Sequence, residues 1–342
     1  MATIEDVARE AGVSISTVSY ALSGKRSITE ETRRRVLTAA QRLGYAPKAA
    51  ARALAARRSN IIAVTTPLHP DTDHSAHMAF AMAVTRAARD HDYDTLLLVQ
   101  DDALDGMRRS AATSLADGIV VLDVAAQDPR ADLARELDCP VVFIGLPAHA
   151  VGLTCVDLDF RVAAQRAVDE LHAAGHRSVG LISQPEDVIA RESNYPLRIE
   201  EAFGQRADEL GVERVTVRPD PAAPLRAIDA LLDQHPGVTA IVLSTLSEVA
   251  HALGPALARR GLRVPDDVSV IAVGMTPDPA RSALPFDAFP LDPGLTCPVA
   301  VDTLVGIIEG SVAPGGVTLV PPVQVSRGSV APAPASRTAD VV

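Results

Sequence analysis

The fold class that this sequence predicts is an all-α helix-turn-helix head followed by an α/β core of two parallel-sheet lobes. Three observations predict it. The first 44 residues hold three short segments of helical periodicity, the first two separated by one glycine turn. From residue 61 onward, continuous apolar runs alternate with helical segments, the pattern of parallel strands covered on both faces. That second region spans about 270 residues, more than one such sheet ordinarily takes, so two lobes are expected.

In the head, Ile4, Val7, Ala8 and Ala11 fall at helical spacing, with Thr3 as N-cap and Asp6 three residues on as its capping-box partner. Gly12 breaks that helix and Val13 turns into the core. Ser14 caps a second helix, ISTVSYAL, whose apolar face is Val18, Ala21 and Leu22. Thr29 caps a third running to Leu43, with Glu30 and Glu31 at the positive end of its dipole and Gly44 after it. Its expected buried stripe is Val36, Leu37, Ala40 and Leu43. Pro47 biases Ala46 toward extended backbone. The Ala-rich AAARALAARRS that follows is too short to hold as a helix without a partner surface.

In the core, strands are predicted at 61–67, 94–100, 118–124, 140–145, 178–183, 239–244 and 268–274. Helices are predicted at 76–90, 105–116, 160–174, 197–210, 223–235, 247–260 and 298–309. Residues 331–342, APAPASRTADVV, read as a disordered tail. Hydrophobic residues are 47% of the chain but aromatics only 3%, so Ala, Val and Leu must do the packing. No apolar run reaches a membrane-spanning length, and the N-terminus lacks a basic-then-apolar signal pattern. Cys139, Cys155 and Cys297 are far apart and form no CxxC, which fits reduced thiols in a cytoplasmic protein.

The net charge of −11 argues against nucleic acid until it is divided. Residues 1–60 carry +6 and the remainder −17, so a basic head sits on an acidic body. That asymmetry suits a protein that docks one end on phosphates and keeps the rest away. No GxGxxG, Walker A, GxSxG or HExxH motif is present, and no Asp/His spacing suits a catalytic constellation, so no enzyme and no cofactor are expected. The HxxH pair His74 and His77, near Asp71 and Asp73, lacks a third ligand at metal-like spacing and reads as a polar pocket mouth, not a metal site.

Residues 3–22, TIEDVAREAGVSISTVSYAL, resemble the head of the lac/gal repressor family. ITEETRRRVLTAAQRLGYAPKAAARAL is similar to its third helix and hinge. CVDLDFRVAAQRAVDELHAAGHRSVGLI and ARRGLRVPDDVSVIAV resemble segments of its core. The resemblance implies a transcriptional regulator, a homodimer with periplasmic-binding-protein-like cores, bound to a palindromic double-stranded DNA operator and controlled by a small-molecule effector between the lobes. It implies a DNA-binding domain at 1–46, a hinge at 47–60 and an effector-binding core at 61–330. The core's N-lobe would comprise 61–160 and 292–321, its C-lobe 161–291 and 322–330.

In such heads the second helix enters the major groove by its N-terminal residues. Here these are Ile15, Ser16 and Thr17, with Tyr20 a turn further on. Ile15 suits a thymine methyl and Ser16 a base edge or phosphate. Tyr20 stands where the family commonly has Arg, which implies a different half-site. Thr17, Ser19, Ser23, Lys25 and Thr29 suit phosphates, which position without specifying; Thr3 and Ser14 complete the DNA-facing set. In the hinge, Leu54 matches the wedge that unstacks a base step, Ala50 and Ala51 permit close approach, and Lys48 replaces the family's frequent Asn.

Ligands of open α/β sheets bind beyond the carboxyl ends of the strands. That rule and the resemblance select His69, Asp71, His74, Asp101, Asp123, Arg198, Ser247 and Met275 as effector contacts. The family usually carries a carboxylate, an Asn-Asp and an Asp where this chain has Gly145, Leu246-Ser247 and Gly274. Without those groups a sugar effector is doubtful. The alternative expectation is a DNA-binding regulator or architectural protein blind to any effector.

Overall fold

The computed structural model describes residues 2–23, 28–45, 58–65, 74–99, 103–276 and 284–334. The head is three helices, α1 (Ile4–Ala11), α2 (Ile15–Ser23) and α3 (Glu30–Arg42). Val7, Ala8, Ala11, Val18, Ala21, Val36, Ala39 and Ala40 form its core, with Ile4, Val13, Ile28 and Tyr45 packed around it. The third helix corrects one expectation. Leu37 is 48% exposed and Leu43 36%, while Ala39 is buried. The apolar stripe is narrower than drawn and rotated by one residue, because a three-helix head this small offers only the Val36, Ala39, Ala40 edge to its neighbours.

The core alternates strands and helices: β1 (Ile61–Thr65), α4 (His74–Asp90), β2 (Asp94–Leu98), α5 (Ala103–Ala112), β3 (Gly118–Val121), α6 (Pro129–Glu136), β4 (Val141–Ile144), β5 (Thr154–Leu158) and α7 (Phe160–Ala173). There follow β6 (Ser178–Ile182), α8 (Glu186–Ala190), α9 (Asn194–Glu209), β7 (Glu213–Val217), α10 (Arg226–Gln234), β8 (Ala240–Leu243), α11 (Ser247–Arg259), β9 (Ser269–Val273), β10 (Asp287–Phe289), α12 (Pro293–Glu309) and β11 (Gly316–Val320). All seven predicted strand regions hold strands. Four more, β5, β7, β10 and β11, were not predicted, because their short runs TCVDL, ERVTV, DAF and GVTLV mix polar with apolar residues. Helix α6 was also missed, although Asp128 caps it and Pro129 opens it. Helix α12 starts at Pro293, capped by Asp292, and runs through Pro298, so the expected start at 298 falls five residues short.

Two all-parallel sheets result, of order β11-β5-β4-β3-β1-β2 and β10-β9-β8-β6-β7. Apolar clusters lie on both faces of each, as parallel sheets require. The chain passes from the first sheet to the second between β5 and α7, returns between β10 and α12, and leaves again after β11.

Two sets of contacts bind the lobes beside these passages. Arg198 of α9 donates to the carboxylate of Asp157 on β5, and both side chains are nearly buried. Further along, Arg191 lies 3.3 Å from Asp123, Ala126 donates to the Glu192 carbonyl at 2.8 Å, and Asn194 donates to the Val124 carbonyl at 3.2 Å. Ala125 and Ser193 form an antiparallel bridge there, and the Asn194 side chain donates to the Leu146 carbonyl.

The expected free tail from 331 is corrected at its start. Ala331 N donates to the Ser269 hydroxyl, its carbonyl accepts from fully buried His176, and Ala333 donates to the Ala174 carbonyl. His176 also meets Thr239 at 2.8 Å and Ser269 at 3.0 Å, a structural role for this histidine.

Two outcomes follow. His176→Ala opens a void and removes a hydrogen-bond partner from half-buried Thr239, buried Ser269 and the Ala331 carbonyl, so it is expected to cost about 2–4 kcal/mol by denaturant unfolding of the full chain. The second concerns Asp157, whose carboxyl burial pushes up to about 6, against the pull of Arg198. A carboxyl raised in the folded state keeps its proton longer than in the unfolded chain. Its contribution is therefore full below about pH 4 and falls as pH rises to about 6. The stability difference between wild type and Asp157→Asn is expected to shift against the wild type by about 1–3 kcal/mol from pH 4 to pH 7; an unchanged difference contradicts it.

Candidate nucleic-acid interface and interlobe cleft

The head's helix ends are fixed by side-chain caps. Thr3 and Asp6 form a complete capping box. Gly12, with φ +62°, ends α1 in the left-handed conformation that glycine takes without strain. The Arg35 guanidinium donates to the Ala11 carbonyl, so this arginine braces the turn. Ser14 Oγ accepts from Thr17 N at 3.1 Å and lies 2.8 Å from both the Ser16 and Thr17 hydroxyls. Thr29 Oγ1 accepts from Thr32 N at 3.3 Å and meets Thr32 Oγ1 at 2.8 Å.

With Val18 fully buried, the register of α2 is set. Its first turn turns Ile15 (47% exposed) and Ser16 outward, with Thr17, Ser19 and Tyr20 half-buried behind them. An exposed isoleucine at the amino end of a helix, flanked by hydroxyls and backed by a rigid turn, has the makeup of a groove-reading surface. Lys25, Lys48, Ala51 and Leu54 lie outside the described residues.

In the core, His69, Asp71 and Asp101 lie outside the described residues, as does the side chain of His74, the first residue of α4. Asp123 follows β3 with φ +52°, a left-handed conformation unusual for a non-glycine residue. Its carboxylate is 3.6 Å from His77 and 3.3 Å from Arg191, and these neighbours hold its pKa below the ordinary carboxylate value despite burial. Arg198, bonded to Asp157, also lies over the Phe160 ring at 5.3 Å, and Phe160 meets Tyr195 at the same separation. Tyr195 accepts from Gln184 at 3.2 Å. Ser247 opens α11 half-buried, and Met275 packs into the C-lobe core.

The two glycines that stand in place of the family's acidic groups do not open space for a ligand. A Cβ at Gly274 would sit 2.8 Å from Ile199 and 3.1 Å from Phe160, and one at Gly145 2.7 Å from Val124. Apolar side chains already fill both places.

Sequence reasoning missed a different set of polar groups. The hydroxyls of Thr65, Ser183, Ser244 and Thr245, all at the carboxyl ends of β1, β6 and β8, are buried without hydrogen-bond partners, as is Nε of Arg198. Buried polar groups are ordinarily paired, so a cluster of open ones at strand ends marks a place for a hydrogen-bonding ligand or water. The signal was a polar residue directly after each apolar run, and only the 244–247 stretch was singled out in advance.

Residues 3–48 match bacterial regulatory proteins of the lacI family, and residues 168–330 match the periplasmic binding protein-like domain. Catabolite control protein A of Priestia megaterium is 27% identical over 281 residues, 80% of this chain and 82% of its own. The HTH-type transcriptional regulator CelR of Thermobifida fusca is 28% identical over 280 residues, 79% and 81% of the two chains. The crystal structure of the lac repressor dimer bound to operator and the anti-inducer ONPF has a TM-score of 0.79 at 21% identity, covering 96% of this chain and 99% of that one. A CelR–cellobiose complex has a TM-score of 0.65 at 22% identity, covering 96% and 100%. The chain thus pairs a head similar to the lacI family of bacterial regulatory proteins with a periplasmic binding protein-like core.

Proposed function

We propose that this protein is a sequence-specific transcriptional regulator, most simply a repressor, that grips a palindromic operator as a homodimer and answers to a small molecule held between its lobes. The observation that carries the reading is the first turn of α2, where a cap-locked scaffold presents Ile15 and Ser16 to solvent within a 60-residue N-terminal region of net charge +6. In this reading Ile15, Ser16 and Tyr20 face base edges. Thr3, Ser14, Thr17, Ser19, Lys25 and Thr29 face phosphates, and the N-termini of the helices add to their pull on anions. Lys48, Ala51 and Leu54 act in the hinge at the minor groove.

The cleft reading is that Arg198, Ser247 and the open hydroxyls of Thr65, Ser183, Ser244 and Thr245 receive the effector, with His69, Asp71, His74 and Asp101 at its mouth. A sugar would have to bind through those hydroxyls, because the positions of Gly145 and Gly274 are walled off. Binding shifts the lobe angle only by its differential affinity for the two states. The named relatives are regulators, and we assign no catalysis and a cytoplasmic site of action. A second reading, a regulator blind to effectors, is favoured by one observation: the lobes already touch through 123–126 and 191–194. A small-metabolite thermal-shift screen separates the two, since the blind reading expects no stabilising compound.

Selection from a random duplex library with the full-length chain is expected to enrich a palindrome, with log affinity falling steeply against log salt. Salt-sensitive binding without an enriched motif contradicts specific reading by α2. On the enriched duplex, Ile15→Ala and Ser16→Ala are each expected to weaken binding roughly 5- to 20-fold while leaving binding to unrelated duplex unchanged.

A further inference from the structure

Among the described residues, the linker that joins the head to the core is fastened at its core end. Asp117 accepts three hydrogen bonds there: from Ser59 N at 2.7 Å, the Ser59 hydroxyl at 3.0 Å and Asn60 N at 2.8 Å. Arg58 reinforces the anchor by donating to the Ile308 carbonyl at 3.1 Å, with Glu309 3.9 Å away. Asp117 directly precedes β3, and Asp123, the N-lobe partner of Arg191, follows two residues after its end. Strand β3 is paired on both sides, with β1 and β4, and every residue in it is buried. Four residues of strand and Leu122 separate the two aspartates, at most roughly 20 Å of extended chain.

Neither end of this strand has slack. At the anchor, a Cβ on Gly118 would fall 2.8 Å from Leu304 and 3.0 Å from Ile308, so α12 sits directly on the strand. At the far end, buried Arg130 donates to the carbonyls of Leu122 at 2.9 Å and Asp123 at 2.6 Å. It also pairs with both carboxylate oxygens of Asp128, one of which accepts from Ala125 N as well. Close-packed elements of this kind move as units and do not stretch.

We infer that β3 is the mechanical link between the lobe interface and the DNA-binding linker, with Asp123–Arg191 as its input and Asp117 as its output. Arg130 and Asp128 are positioning residues: they act by presenting Asp123 and the 124–126 backbone to the C-lobe. Asp123 thereby serves the lobes instead of the effector. The inference deepens the regulator reading, and its relevance to DNA rests on that reading. A polar contact between the lobes at one end, and a linker held at the other, place both ends of the coupling on one packed element.

The test reads the linker without DNA. Amide hydrogen exchange is followed at Ser59 and Asn60 in the full-length chain for Arg191→Gln, for Asp123→Asn, and for the control Arg260→Gln, which breaks a C-lobe surface pair with Asp229 and Asp233. The expected result is exchange at least three-fold faster at Ser59 and Asn60 in both interface variants and unchanged in the control. Unchanged exchange in either interface variant, or equal acceleration in the control, overturns the link. Failure of the regulator reading appears elsewhere, as the absence of an enriched operator, and leaves this result standing.

Discussion

Everything in the core depends on the chain crossing three times between two parallel sheets. A parallel strand cannot pair with its sequence neighbour through a tight turn, so each needs a longer crossover, in most cases a helix and between β4 and β5 the loop 145–153. Because β11 returns to the first sheet after the second is complete, and 322–333 returns to the second, neither lobe is one continuous piece. Every change in the angle between lobes is confined to three short passages and the contacts beside them. The carboxyl ends of the strands meet the same gap, which is why Asp123, Asp157, Ser183 and Ser244 gather near residues that cross it.

The interface between the lobes is held by polar contacts, two ion pairs and a short run of backbone hydrogen bonds. Such contacts are directional and nearly balanced against hydration, so they switch at modest cost where an apolar seam would not. Left-handed backbone at Asp123 and Glu192, on opposite sides of the seam, adds local strain there. The head follows another logic. Its small core gives little stabilisation, so capping by Thr3, Ser14 and Thr29 and the Arg35 brace fix the angle at which α2 stands.

Much of this was legible in the sequence. Periodicity located the three head helices and their caps, because Thr, Ser and Gly at helix ends act locally and leave a local trace. The strong apolar runs likewise marked seven of the eleven described strands. Strand β5 was hidden because Asp157, which pairs with Arg198 from the other lobe, interrupts its apolar pattern. Leu37 was misplaced because which flank of a helix is covered depends on neighbours that periodicity does not reveal. Arg198 was singled out by resemblance, yet its partner Asp157 lies 41 residues away and belongs to the other lobe. The clasp at 123–126 and 191–194 was invisible for the same reason: it is a meeting of two loops set by the fold.

The central claim is that DNA binding by the head and the arrangement of the lobes are one linked equilibrium. Linkage is reciprocal, so DNA must act on the lobes as the lobes act on DNA. The direct measurement is amide exchange of the full-length chain with and without a saturating selected duplex. Linkage predicts protection in α2 together with changed exchange at Ala126 and Asn194, the backbone donors that cross the lobe interface. Protection confined to the head, with Ala126 and Asn194 unchanged, would contradict it.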